Sequence, residues 1–294
     1  MLEKSLAVFA ALCLFAPAAE ANRAFPVTVD AANGEVTVKK RPKRIVILSA
    51  SHTETAFEIG AGRQVIAVDD QSNFPRRAPD TKLSSFRPNA EAVARYKPDL
   101  VITSTDANKL LPSMQRLKIP TLYAPAPTFI GHAFEQMRQI GSVTGHRPAA
   151  DSLIRRMQRR IGAIVASVPR GRRLSFFHEL DPSLYSPTSA TFIGRVYSLF
   201  GLRNIADEAD EGGAFPQLSN EFVIASDPDF IVLADTKCCG ESSATVRRRP
   251  GWSSMTAVKR GRVIALNDDI PSRWGPRLVD FVRPVGRSVR EVRG

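Results

Sequence analysis

One pattern constrains this chain more than any other, because it occurs twice. Glu91 stands seven residues before Pro98-Asp99-Leu100-Val101-Ile102, and Glu221 stands seven before Pro228-Asp229-Phe230-Ile231-Val232. An Asn closely precedes each Glu (Asn89, Asn220), and a short apolar segment fills each gap. A carboxylate suits the positive end of a helix dipole, so each gap reads as a short helix. Proline ends that helix and biases its predecessor toward extended backbone, and the apolar run behind it reads as a buried strand. Two such units predict two similar lobes, each offering one Glu at a comparable place on its surface. Clefts between lobes are where small ligands bind.

The rest of the chain fits the same plan. Residues 25–38 alternate apolar and polar about Asn33-Gly34, a strong hairpin signal. Apolar runs at 45–48, 65–68, 100–103 and 121–123 then alternate with helical patterns at 53–59, 108–117 and 131–144. A second set has strands at 174–177, 230–234 and 263–266, with helices at 192–200 and 276–292. Between the sets, Pro148 to Val168 is the longest helical pattern, with Leu153, Met157, Ile161, Ile164 and Val165 on one face. The expected fold is α/β, with two Rossmann-like parallel-sheet lobes over residues 22–147 and 169–294. A single long helix over 148–168 joins them, with a ligand cleft between.

At 294 residues the chain is long enough for two domains. Residues 1–21 read as an export signal peptide: Lys4, an apolar run from Leu6 to Phe15, and the small-x-small site Ala19-Glu20-Ala21. Bulky Leu12 before Cys13 argues against a lipid anchor there. No later segment reaches the roughly 20 apolar residues of a membrane span. The expected product is a soluble periplasmic protein and a monomer. Its net charge of +12 comes from clusters such as Arg155-Arg156, Arg159-Arg160 and Arg247 to Arg249. They read as a solvated face. Export and the lack of interleaved aromatics exclude nucleic acid as a partner. Beyond the leader only Cys238 and Cys239 remain. A vicinal disulfide suits an oxidising compartment, and the pair reads as a loop staple without a part in ligand chemistry.

The sequence carries no G-x-S-x-G elbow, phosphate loop, dinucleotide fingerprint or H-E-x-x-H helix. No catalytic residue, metal site or resident cofactor is expected. The enzymatic alternative is an exported hydrolase using Ser51 or His52. Ligands in open α/β sheets bind beyond the carboxyl ends of strands. The loops there contain His52, Gln71, Phe86 and Arg87 in the first lobe. In the second they contain His178, Tyr185, Phe215, Asp269, Arg273 and Trp274.

Several segments resemble the substrate-binding proteins of ATP-binding-cassette importers for metal chelates, the cobalamin, ferric-siderophore and haem group. They are Arg44 to Leu48 with Thr53 to Gly60, Asn89-Ala90-Glu91 to Lys97-Pro98-Asp99-Leu100-Val101-Ile102, Phe215 to Glu221, and Asp227-Pro228-Asp229. The resemblance implies two lobes on a rigid helix, with modest closure about the chelate. It also implies that Glu91 and Glu221 dock on arginines of a membrane permease dimer, one per subunit. Cobalamin binders are similar near Gln71, Phe86, Phe215, Asp269 and Arg273, although a tyrosine is expected where Gln71 stands. Siderophore binders place arginines in the cleft, as Arg87 and Arg273 would be. Haem binders use an axial His or Tyr, for which His52, His178 and Tyr185 are the candidates. Phe86, Phe215 and Trp274 would then meet the flat face of the ligand, and Arg87, Asp269 and Arg273 would orient it.

Overall fold

The structure, a computed structural model, describes residues 25–209 and 213–294. The expected signal peptide lies outside them. The chain enters through an antiparallel hairpin, β1 (Val27–Ala31) and β2 (Gly34–Val38). Ala31 pairs with Gly34, so the turn is Ala32-Asn33, one residue earlier than expected. Gly34 sits at φ +91, a conformation glycine adopts without steric cost.

Two parallel sheets follow. The first contains β3 (Ile45–Leu48), β4 (Val65–Val68), β5 (Leu100–Thr103) and β6 (Thr121–Tyr123), in the order β4-β3-β5-β6. The second contains β7 (Ser175–Glu179), β8 (Arg203–Asn204), β9 (Phe230–Leu233) and β10 (Val263–Ala265), in the order β8-β7-β9-β10. Each sheet therefore places its strands second, first, third, fourth. The topology is the same twice.

Four helices accompany the first sheet: α1 (Ala50–Glu58), α2 (Ala90–Arg95), α3 (Leu110–Arg116) and α4 (Ile130–Thr144). The connector is α5 (Arg147–Ala166), whose 20 residues span about 30 Å. Beyond it come α6 (Phe192–Ser198), α7 (Asn220–Ser226), α8 (Ser243–Arg248), α9 (Thr256–Lys259) and α10 (Leu278–Arg293). Helix α1 begins at Ala50 rather than at Thr53, so Ser51 and His52 lie in its first turn and not in a loop.

Strand side chains alternate between two cores, as period two requires. Ile45, Ile47, Leu100, Ile102, Phe176, Phe230 and Val232 face one continuous core, which also takes Leu153 and Met157 of α5 and Phe281 and Val285 of α10. The opposite faces are local. Val46, Leu48 and Val101 pack in a core of the first lobe, and Phe177, Ile231 and Leu233 in one of the second. The lobes thus share close-packed interior with the connector, which resists large relative motion.

The doubled unit is structurally doubled too. Helices α2 and α7 each carry their Glu at the second position, and burial from Glu91 to Pro98 repeats residue for residue from Glu221 to Pro228. Both glutamates are exposed. Asp99 accepts backbone N–H groups of Lys43 (2.8 Å) and Arg44 (3.0 Å), just before β3. Asp229 accepts the N–H of Ser175 (2.8 Å) at the start of β7. The two aspartates stitch equivalent strand starts. One detail differs from expectation. Lys97 and Asp227, before the prolines, are left-handed at φ 49 and φ 37 rather than extended, because each closes its helix. The helix caps are Asn89 and Ser219; Asn220 instead accepts the Trp252 indole N–H.

Candidate functional site

A cleft of about 590 Å³ opens between the lobes at the carboxyl ends of both sheets. The first lobe lines it with Ser49, Ala50 and Ser51 after β3, Asp69 and Gln71 after β4, Ser85 and Phe86, and Ser104 after β5. The second supplies Lys237 and Cys238 after β9, then Asp268, Asp269, Ser272, Arg273 and Trp274 after β10. Phe86 is 74% exposed at the rim, an apolar ring that the fold leaves in solvent.

A buried charge network forms the floor. Arg273 is 5% exposed. Its Nη1 donates to Glu54 Oε1 (2.8 Å) and Asn73 Oδ1 (3.1 Å), and its Nη2 to the Gln71 carbonyl (2.8 Å) and Asp269 Oδ1 (2.9 Å). Arg277 adds a second fork onto Glu54, with Nε at 3.0 Å from Oε2. Asn73 Nδ2 also donates to Asp269 Oδ2 (3.0 Å), with Lys237 Nζ 3.2 Å from the same oxygen. Burial works against the charge of Asp269, yet Arg273 and the bonds from Lys237 and Asn73 hold its carboxyl below the usual range. Gly275 lets this segment lie on α1: a Cβ there would stand 3.0 Å from the Ser51 carbonyl oxygen.

Beneath Trp274 lies His52. Its Nε2 is 3.3 Å from Gln136 Oε1 and 3.4 Å from Trp274 Nε1, and the two rings meet edge-on. Burial pushes His52 down to about 4, partly offset by Gln136, so the imidazole is neutral at neutral pH. His52 does not line the cleft but supports a residue that does.

Of the residues expected from sequence, Gln71, Phe86, Asp269, Arg273 and Trp274 line the cleft. His178 does not. It is fully buried in β7, with Nδ1 2.6 Å from the Tyr197 hydroxyl and its ring edge-on to Tyr197 and Phe281. Burial drives it down to about 3. Strand β7 runs on to Glu179, two residues past the expected end, so His178 points into the shared core. Arg87, Tyr185 and Phe215 are exposed but stand outside the lining. Arg273 differs in role from the expectation, since both its terminal nitrogens are taken by protein partners.

Sequence reasoning missed Glu54, Lys237 and Cys238. The rule that selected Asp269 selects Lys237 and Cys238 as well, because they follow β9 as Asp269 follows β10. Glu54 left a fainter signal, a carboxylate inside an otherwise buried helix.

Similarity to known proteins agrees with this geometry. The profile described as periplasmic binding protein matches residues 45–270. An uncharacterized ABC transporter substrate-binding lipoprotein of Bacillus subtilis (strain 168) is 30% identical over 283 residues, 92% of this chain and 88% of the relative. A cobalamin-binding protein of Halobacterium salinarum (strain ATCC 29341 / DSM 671 / R1) is 31% identical over 275 residues, 89% of this chain and 74% of that one. The crystal structure of the periplasmic vitamin B12 binding protein of Vibrio cholerae shares the fold, with a TM-score of 0.72 at 23% identity over 85% of this chain and 98% of its own.

The hydrolase alternative does not fit. Ser51 Oγ accepts the backbone N–H of Trp274 (3.2 Å), and the His52 ring faces Gln136 and Trp274. Neighbours on a helix point about 100° apart, so the pair cannot face each other as nucleophile and base.

Proposed function

The chain belongs to the periplasmic binding protein family, and on that premise we propose that it captures a metal chelate outside the cytoplasm and delivers it to an ATP-driven membrane permease. The observation that carries the reading is the inter-lobe cleft, where the carboxyl ends of two equivalent sheets meet over a fixed charged floor. Phe86 and Trp274 offer apolar surface to a flat ligand, and Lys237, Asp268 and Asp269 offer polar contacts at the wall. Cobalamin is the first chelate to test, given the 31% identical cobalamin-binding relative. The ferric siderophores and haem follow.

The proposal includes the route. Residues 1–21 serve as the export leader, and a single copy docks on a permease dimer through Glu91 and Glu221. Their matched positions on α2 and α7 suit a partner that repeats itself twice. Among the described residues no helix is long and apolar enough to cross a membrane, so the membrane step falls to that partner.

Calorimetric titration with cyanocobalamin tests the reading. Saturable one-to-one binding supports it and names the ligand. Silence moves the titration to a ferric tris-catechol siderophore and to haemin, and silence from all three would sink the metal-chelate reading.

A further inference from the structure

The loop that leaves β9 joins Cys238 to Cys239 in a vicinal disulfide. Both residues are exposed, and Cys238 lines the cleft. The loop is firmly held. The Asp268 carboxylate accepts the backbone N–H of Lys237 (2.9 Å) and of Cys238 (2.7 Å), and the Cys239 N–H donates to the Asp235 carbonyl (3.1 Å). Just past the disulfide, Glu241 pairs with Arg249 at 2.8 Å.

This bond does little that a structural staple does. A disulfide stabilises chiefly by closing a loop in the unfolded chain, and a bridge between neighbours closes almost none. Nor does it fill a core, since its residues face solvent and cleft. What it does is fix the Cys238 sulfur, bonded to that of Cys239, on a backbone-clamped wall of the cleft. Sulfur makes favourable contacts with conjugated rings. The other lobe brings the exposed Phe86 ring to the same cleft.

We propose that the Cys238–Cys239 disulfide is a ligand-contact element, presenting a sulfur surface to the conjugated face of a metal chelate from the wall across from the lobe carrying Phe86. This deepens, and rests on, the chelate-capture reading. Opening the bond takes two electrons and two protons. A phosphine supplies the electrons and becomes the phosphine oxide with an oxygen from water, whose protons cap the two sulfurs as thiols. The thiols then rotate independently, and the fixed patch is lost.

The test begins with the oxidised full chain titrated with cyanocobalamin, a ferric tris-catechol siderophore and haemin. Whichever saturates is then titrated into the paired variant Cys238→Ala with Cys239→Ala, which keeps reductant away from the metal and adds no new donor. The expected result is a Kd raised about tenfold with an unchanged thermal midpoint. A second measurement needs no variant: a chelate seated on the disulfide shields its sulfur from attack, so saturating chelate should slow phosphine opening of the wild-type bond severalfold. Equal Kd in the two proteins, or, where the variant does not fold, an opening rate indifferent to chelate, overturns the proposal and leaves chelate capture standing. If no chelate saturates the oxidised protein, chelate capture itself fails and the disulfide role falls with it.

Discussion

Arg273 Nη1 lies 2.8 Å from Glu54 Oε1, joining residues 219 positions apart and burying both charges where the two lobes meet. With Arg277 on the same carboxylate, the contact pins the segment after β10 onto α1 of the first lobe. The floor of the cleft and the contact between the lobes are therefore coupled through one buried carboxylate.

Removing one partner of a buried ion pair strands the other without water. Glu54→Ala should therefore lower stability by about 3 kcal/mol or more. Glu54→Leu combined with Arg273→Met should not recover that loss, because Arg277 still lacks its carboxylate and Asp269 and the Gln71 carbonyl lose a donor. Urea unfolding of the three proteins checks this. Similar midpoints for Glu54→Ala and wild type would show that the network is not a latch.

The glutamates of the doubled unit call for the opposite outcome. Glu91 and Glu221 are exposed, and surface changes of this kind usually stay within about 0.5 kcal/mol. Glu91→Arg with Glu221→Arg should leave folding and chelate affinity intact while stopping uptake through the permease. Uptake that persists in the double variant would reduce both residues to favourable charges at helix starts.

Much of this architecture was legible because its signals are local. The Glu…Pro-Asp unit states a helix, its stop and a strand within a dozen residues, and the apolar stripe of α5 repeats at the helical period over its whole length. Where the reading failed, a boundary or a distant partner decided. Extending β7 by two residues took His178 out of the cleft and into the core. Starting α1 at Ala50 put His52 under Trp274 instead of in a loop. The satisfaction of Arg273 by Glu54 depends on tertiary pairing that no local pattern encodes. That Cys238 lines the cleft was equally hidden, because adjacency says nothing about which wall the pair stands on.

Phe86 separates a ligand platform from a lid on its own domain. At 74% exposure it contributes little to the core, so Phe86→Ala should leave the thermal midpoint unchanged. Chelate affinity should fall about tenfold, the loss typical of an aromatic contact that carries binding. Calorimetry beside thermal unfolding distinguishes the cases. A lowered midpoint with unchanged affinity would make the ring a lid.

Acidity offers a last test, set by Asp235 at the base of the disulfide loop. Its side chain is fully buried. Burial first, then the neighbouring charges of Glu179 and Glu241, push its carboxyl from the ordinary 3.8 up to about 8. Arg249 is the facing cation, but it is already forked onto Glu179 and paired with Glu241. The sign follows from which state holds the proton. Between about 4 and 8 the folded chain keeps it on Asp235 while the unfolded chain has released it, so this group's contribution to stability declines as pH rises through that window. Asp235→Asn keeps a neutral hydrogen-bond donor beside Glu179 at every pH. The variant should match wild type near pH 4 and gain stability over it progressively toward pH 8, with the difference levelling off above. Parallel unfolding midpoints for the two proteins across that range would mean that Asp235 ionises normally in the fold and that the loop does not rest on a protonated acid.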